Sequence, residues 1–258
     1  MADKGIIFSA PMVRALLAGR KTQTRRLLTS ARVFATPESP AFTLKGEHLK
    51  RALQGADRWR HLGETGWCWE ADAFDYQAPA TRTGWMAHLP YAPGDRLYVR
   101  EAYAIRGVYS DVVEVGYRAH ERASHTEFVE QWPAETAVNA DGTRPRVTWP
   151  SYKPSIHMPR WASRLTLTVT DVRVQRVAEI SEADARAEGL IPWSEGVCHP
   201  TRYSIINDPA ETWETARDAF AGLWSQLHDK TGERWEDNPW IVAVSFDVKQ
   251  GNIDRISA

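Results

Sequence analysis

Hydrophobic positions along this chain come in short blocks separated by long mixed stretches. Ile6-Ile7-Phe8 is a compact apolar run, the pattern of a short buried strand. Ser9-Ala10-Pro11 follows, and Pro11 suits a first helical position, where its missing N–H costs nothing. Met12, Val13, Leu16 and Leu17 recur at helical spacing, and Gly19 supplies the stop. After the Pro93-Gly94-Asp95 turn, Arg96 to Glu101 alternates like a strand, and Val112 to Arg118 reads as its hairpin partner. Leu165 to Val177 is the longest alternating segment, a predicted strand that can bend midway. Ser181-Glu182-Ala183-Asp184 opens a short helix that runs to Glu188 and closes at Gly189. Asp184 stands where a capping box usually has Glu or Gln. Glu211 to His228 predicts a longer amphipathic helix, with Trp213, Ala216, Phe220, Leu223, Trp224 and Leu227 on one face. Asn238-Pro239 marks a turn, and Trp240 to Phe246 is the closing strand.

Three stretches, at about 29–92, 120–150 and 191–210, show no sustained period and read as insertions with little regular structure. Pro154 to Trp161 is a proline-bracketed loop. The element order predicts an α+β fold over 1–258. The expected architecture is one small mixed β-barrel, closed or half closed, with flanking helices and long loop insertions.

Composition narrows the class. Hydrophobic residues make up 43% and charged residues 25%, as in ordinary globular chains. No apolar run approaches the roughly 20 residues that span a bilayer, and Met1 to Phe8 has no signal-type apolar core. Two cysteines, Cys68 and Cys198, do not make a disulfide framework, so a reducing, cytoplasmic location is expected. The net charge of −1 argues against a general nucleic-acid coat protein. It hides an asymmetry, because residues 1–28 carry six Lys/Arg against Asp3 alone, while residues 178–237 carry 13 acids against 5 Lys/Arg. Twelve tryptophans are several times ordinary usage; each is a core or loop anchor or a stacking platform for a base.

Candidate chemistry concentrates in Gly19-Arg20-Lys21-Thr22-Gln23-Thr24-Arg25-Arg26, where four cations and two hydroxyls share eight residues. Forked arginines beside hydroxyls suit a phosphate. A lysine beside a threonine can do nucleophilic work if burial or nearby cations lower its pKa. In a regular strand Lys21 and Thr24 face opposite ways, so a turn must bring them together. A plain solvent-facing basic turn is the alternative. Glu101, beside Arg100, and Glu188 are candidate acids that could orient the lysine or shuttle a proton, or simple surface carboxylates. His157, Arg160 and Trp161 sit on the rigid 155–161 loop, where they could hold a base or plug one end of the fold. Cys198-His199 and Cys68 lack the paired spacing of a zinc site, and neither metal nor cofactor is expected.

With these residues in view, the Phe8-to-Arg26 segment resembles the opening of the ASCH domain family, whose hallmark is a GxKxxTxR run. Gly94 to Glu101 is similar to that family's second block. Ser155 to Ser163 and Asn238 to Phe246 are similar to the long ASCH proteins of tailed phages and prophages. The resemblance implies a PUA-like β-barrel with a cleft where the GxKxxTxR run meets it. It also implies candidate activities. Small bacterial members are amidohydrolases that remove the acetyl group of N4-acetylcytidine with a Lys, a Thr and a downstream Glu. Lys21 and Thr24 match the first two, and Glu188 is the best counterpart to the third. By that match Lys21 is the base, Thr24 the nucleophile and Glu188 the helper, while Arg20, Arg25, Arg26, Arg100, Glu101, His157, Arg160 and Trp161 are substrate-binding candidates. Other members are described as ribonucleases, and a non-catalytic RNA or modified-base reader would use the same cleft. A phage-encoded protein that binds a host partner through Trp-rich insertions is a further alternative.

Overall fold

A computed structural model describes residues 3–33, 42–53, 58–61, 67–70, 85–87, 89–109, 112–120, 128–130, 139, 141–194, 201–205 and 211–256. In chain order the strands are β1 (Asp3–Ile7), β2 (Gln23–Leu27), β3 (Ser30–Val33), β4 (Phe42–Lys45), β5 (Arg58–His61), β6 (Trp67–Glu70), β7 (Trp85–Ala87) and β8 (Arg96–Arg100). They continue with β9 (Tyr103–Val108), β10 (Val113–Tyr117), β11 (Phe128–Glu130), β12 (Leu165–Arg176), β13 (Ile191–Trp193), β14 (Arg202–Ser204), β15 (Thr212–Trp213) and β16 (Trp240–Gln250). The helices are α1 (Ala10–Leu17), α2 (Gly46–Leu53), α3 (Glu182–Ala187) and α4 (Ala216–Leu227).

The central sheet runs β1-β8-β12-β16-β2. β1 is parallel to β8, and every other pair is antiparallel. β12 is its spine, and its sequence explains its shape. Leu165, Leu167 and Val169 are buried, then the phase slips and Val172 and Val174 are buried instead. A register shift between Val169 and Asp171 inserts the extra residue that keeps both halves on the core side. One apolar cluster packs Phe8, Val13 and Leu16 against Leu97, Val99, Leu167 and Phe246. A second packs Ile180, Ala185, Phe220 and Trp224 against Ile241 and Ala243. In β16 these last two residues alternate with Val242 and Val244 of the first cluster, so the sheet separates two cores.

The mixed α+β class is therefore present. The sheets are not closed into a barrel among the described residues, because β1 and β2 are the two edges of the central sheet. No helix of the described residues is long and apolar enough to cross a membrane.

Several expectations need correction. The partner of β10 is β9, not β8, whose neighbours are β1 and β12. Tyr103–Val108 lacks clean alternation because Tyr103, Ala104 and Ile105 are all buried. The 29–92 stretch holds regular structure after all, a sheet of order β4-β3-β7-β6-β5 with α2 following β4. The 120–150 stretch also holds β11, paired with β10. Strands of three or four residues are too short to show a period. Likewise the 191–210 stretch contributes β13 and β14, which join β15 in a small antiparallel sheet. That pairing removes Thr212 and Trp213 from the predicted long helix. α4 starts instead at the Thr215 cap, whose hydroxyl accepts from Asp218 N at 3.0 Å, and the Glu182 carboxylate accepts from Ala216 N at 2.8 Å.

Candidate functional site

Two helix ends meet at Lys21. α1 finishes with Gly19 at φ 69°, Gly19 N donating to Leu16 O at 3.0 Å and Arg20 N to Ala15 O at 2.9 Å. This paired closure turns the chain sharply, so Lys21 leaves α1 against its last turn and its own N–H reaches Ala15 O at 3.2 Å. α3 starts at Ser181, whose hydroxyl accepts from Asp184 N, and ends at Glu188 and Gly189. A bridge pairs Lys21 with Glu188, and Thr22 N donates to Ala187 O at 2.9 Å. Gly189 has φ 96°, and a Cβ there would fall 2.8 Å from Ala15 Cβ and 2.9 Å from Lys21 Cβ. Only glycine fits that junction without displacement.

The side chains form a buried ionic chain. Lys21 Nζ donates to Glu188 Oε2 at 2.7 Å and to the Glu188 carbonyl at 2.8 Å. Arg25 Nη1 donates to Glu188 Oε1 at 2.9 Å, and Nη2 to Asp184 Oδ2 at 3.2 Å. Gln23 Nε2 donates to Asp184 Oδ1 at 2.9 Å, while Gln23 Oε1 accepts from Arg25. Lys21 is 1% and Glu188 3% exposed, so both charges are withdrawn from water. Burial holds the Lys21 ammonium below its usual pKa, against the opposing pull of Glu188 and with the help of Arg26 and Arg25. Burial pushes the Asp184 carboxyl up, but Gln23 and the charges of Arg173 and Arg25 outweigh it and leave it lowered.

Thr24 lies on the other face of β2. Gln23, Arg25 and Leu27 pair across to Ser245, Ala243 and Ile241, whereas Thr24 and Arg26 pair with Val244 and Val242 of the Phe8 cluster. Lys21 reaches that face at its end, since Nζ lies 5.6 Å from the Phe8 ring centre. The Arg26 guanidinium lies 5.4 Å from the same ring, donates to Ile7 O at 2.6 Å and is exposed. Thr24 is buried, and no hydrogen bond joins its hydroxyl to Lys21 among the described residues. Phe8 is thus the shared wall of the lysine, the threonine face and the exposed Arg26.

The fold brings Lys21, Glu188, Arg25 and Arg26 together and places the remaining candidates elsewhere. Glu101 is buried in a forked pair with Arg164, at 2.8 and 3.1 Å, and its backbone N–H meets Met158 Sδ. Burial pushes its carboxyl up despite Arg164. Arg160 is held by Asp254 and Asp3, which raise its pKa. Trp161 is buried with Tyr103, Val113 and Met158, which is the plug rather than the stacking platform. His157 is exposed, and its carbonyl accepts from Tyr103 Oη at 3.0 Å. Arg100 donates to Ile156 O. Arg20 is half-buried, with no hydrogen-bond partner for its Nε among the described residues.

Sequence reasoning missed Gln23, Asp184 and Phe8 as members of the site. The odd Asp184 in the capping box was the available signal: its carboxylate turns to Arg25 instead of closing the box. No group of three or more His, Cys, Asp or Glu among the described residues could hold a metal. Cys68 and Cys198 lie outside the residues whose side chains are described. A cleft of about 590 Å³ opens beside Leu28, Lys50 and Trp240, and none of Lys21, Thr24 or Glu188 lines it. Comparison with protein-family models, curated proteins and solved structures finds no match to this chain.

Proposed function

We propose that the chain is an ASCH-type amidohydrolase acting on an N4-acylated cytosine, as a nucleoside or within RNA. The observation that carries this reading is the buried 2.7 Å pair of Lys21 and Glu188 at the end of the GxKxxTxR run. Burial lowers the Lys21 pKa and so favours the neutral amine that a general base needs. The neutral Lys21 amine then takes the Thr24 hydroxyl proton as Oγ1 bonds to the acyl carbon. The C–N4 bond breaks as N4 takes a proton from the Lys21–Glu188 pair, and cytidine leaves. Water, deprotonated by Lys21, adds to the acyl carbon; the C–Oγ1 bond breaks as Thr24 takes that proton back from Lys21, and the free acid leaves.

Arg25 positions Glu188 by a direct hydrogen bond, and its side chain is fully buried. Exposed Arg26 is the group for substrate charge. The same reading carries a PUA-like arrangement of the central sheet and a cytoplasmic location. Mass-spectrometric turnover of an N4-acylcytidine panel, with Lys21→Ala alongside, tests it. Release of cytidine by wild type but not by the variant is the expected result, and equal release by both overturns it. RNA cleavage without deacylation moves the ribonuclease reading forward.

A further inference from the structure

The segment from Asp141 to Thr170 holds Arg144, Arg146, Lys153, Arg160 and Arg164 against one acid, Asp141, which accepts from Thr143 and feels the charge of Lys153. Arg160 and Arg164 are already spent on ion pairs, but Arg144 and Arg146 are exposed and make no ion pair among the described residues. The segment lies along β9. Trp149 N donates to Ile105 O at 3.1 Å, and Lys153 N and Tyr103 N exchange bonds with each other's carbonyls. This anchoring turns an aromatic stack outwards. The Arg106 guanidinium lies 3.7 Å from the Trp149 ring centre, and Tyr152 meets Trp149 edge-on at 5.7 Å. Trp149 is 39% exposed, unlike the buried Trp161, and Val147 and Tyr109 are exposed as well.

Exposed Trp149, with Arg106 on its ring, half-buried Tyr152 and the exposed Arg144 and Arg146 offer what a polynucleotide single strand uses: bases stack and phosphates pair. We propose that Arg144, Arg146, Trp149 and Tyr152 form a surface that binds single-stranded nucleic acid. It deepens the reading above and rests on it for the strand's destination. The segment leads on to Ile156, whose carbonyl accepts from Arg100. Arg100 O in turn accepts from Phe8 N at 3.1 Å, and the Phe8 ring walls Lys21.

The test is fluorescence anisotropy with labelled 12-nucleotide oligo(U) and oligo(dT), titrated with the full chain across a salt series. Both strands share stacking and phosphate chemistry, and oligo(U) is expected to bind more tightly; tighter binding of oligo(dT) overturns the assignment of this surface to the RNA substrate. Trp149→Ala should weaken binding by about 5- to 150-fold, the range that one lost base stack gives. Arg144→Ala with Arg146→Ala, at exposed sites that leave the fold alone, should lower the log–log salt slope by about 1.4. Absence of binding at about 50 mM salt, unchanged binding by both variants, or equal competition from a poly-aspartate peptide overturns the proposal. Deacylation of free N4-acylcytidine is assayed in parallel with strand binding. Binding without deacylation therefore sinks the hydrolase reading alone, and deacylation of free nucleoside without strand binding sinks the surface alone.

Discussion

Lys21 Nζ sits 2.7 Å from the carboxylate of Glu188 and 2.8 Å from the carbonyl of the same residue. One amine thus serves two purposes: it pairs a buried acid, and it satisfies a carbonyl left free where α3 ends. The double duty makes the lysine both a candidate base and a fastener between α1, β2 and α3.

Lys21→Ala separates these roles. Loss of the fastener strands Glu188, although Arg25 still holds its other oxygen at 2.9 Å. The cost should fall near the low end for a broken buried pair, about 3 kcal/mol. Deacylation should drop at least about 100-fold, the scale of a lost general base. Denaturant unfolding beside single-turnover kinetics checks both. A folded variant with full turnover removes Lys21 from the chemistry.

The pH dependence follows from the lowered Lys21 pKa. The unfolded chain keeps this proton up to about pH 10.5, whereas the folded chain releases it earlier. Between those two values the unfolded state binds more protons, so stability rises with pH through the window. A catalytic amine must be neutral, so kcat/KM should climb along a limb whose midpoint lies below 10.5. A pH–rate profile with its midpoint at or above that value contradicts the assignment.

Asp184 predicts a limb at the acid end. Its folded pKa lies below 3.8, so its contribution is present above 3.8 and is lost as pH falls through the folded value. Asp184→Asn should therefore lower stability at neutral pH and flatten the acid side of the stability curve. Urea midpoints measured from acid to neutral pH check this, and parallel curves for the two proteins refute it.

Arg25 and Arg26 are neighbours with opposite expectations. The Arg25 side chain is 0% exposed and holds both Glu188 and Asp184. Arg25→Ala should destabilise the fold by about 3 kcal/mol and lower kcat through the misplaced acid. Exposed Arg26 contacts Ile7 O and the Phe8 ring. Arg26→Ala should change stability by less than about 0.5 kcal/mol and raise KM instead. Steady-state kinetics and thermal melts of both variants decide the split.

Much of this was legible in the sequence, and the reasons differ by element. Pro11 and Gly19 bracket α1 because each imposes one backbone geometry, which holds in any tertiary setting. The bend in β12 could be read from the place where Val169 and Val172 break its alternation. Lys21 and Glu188 came from a motif and a helix end, and the fold joins them across 167 residues. What the sequence could not reveal was pairing at a distance. Glu101 beside Arg100 looks like an acid at a strand end, yet its partner is Arg164, 63 residues away. Trp149 and Trp161 look alike in sequence, and only packing buries one and exposes the other.

Gly189→Ala tests whether the junction that joins the two helix ends positions the lysine. The residue sits at φ 96°, where an L side chain is strained, and the new Cβ would lie 2.8 Å from Ala15 Cβ and 2.9 Å from Lys21 Cβ. Neither neighbour is the free end of a flexible chain, so the backbone must move. Strain of about 1–3 kcal/mol should appear as lost stability. The displaced Lys21 should also cost activity beyond that loss, because a shift of about an ångström is enough to spoil a proton transfer. Ala183→Gly is the control, since at this exposed site it weakens α3 by about 1 kcal/mol and leaves the junction alone. If the two variants lose stability alike and both keep full kcat, the junction holds the fold and not the lysine. If Gly189→Ala alone loses kcat, the meeting of α1 and α3 is what aims the amine.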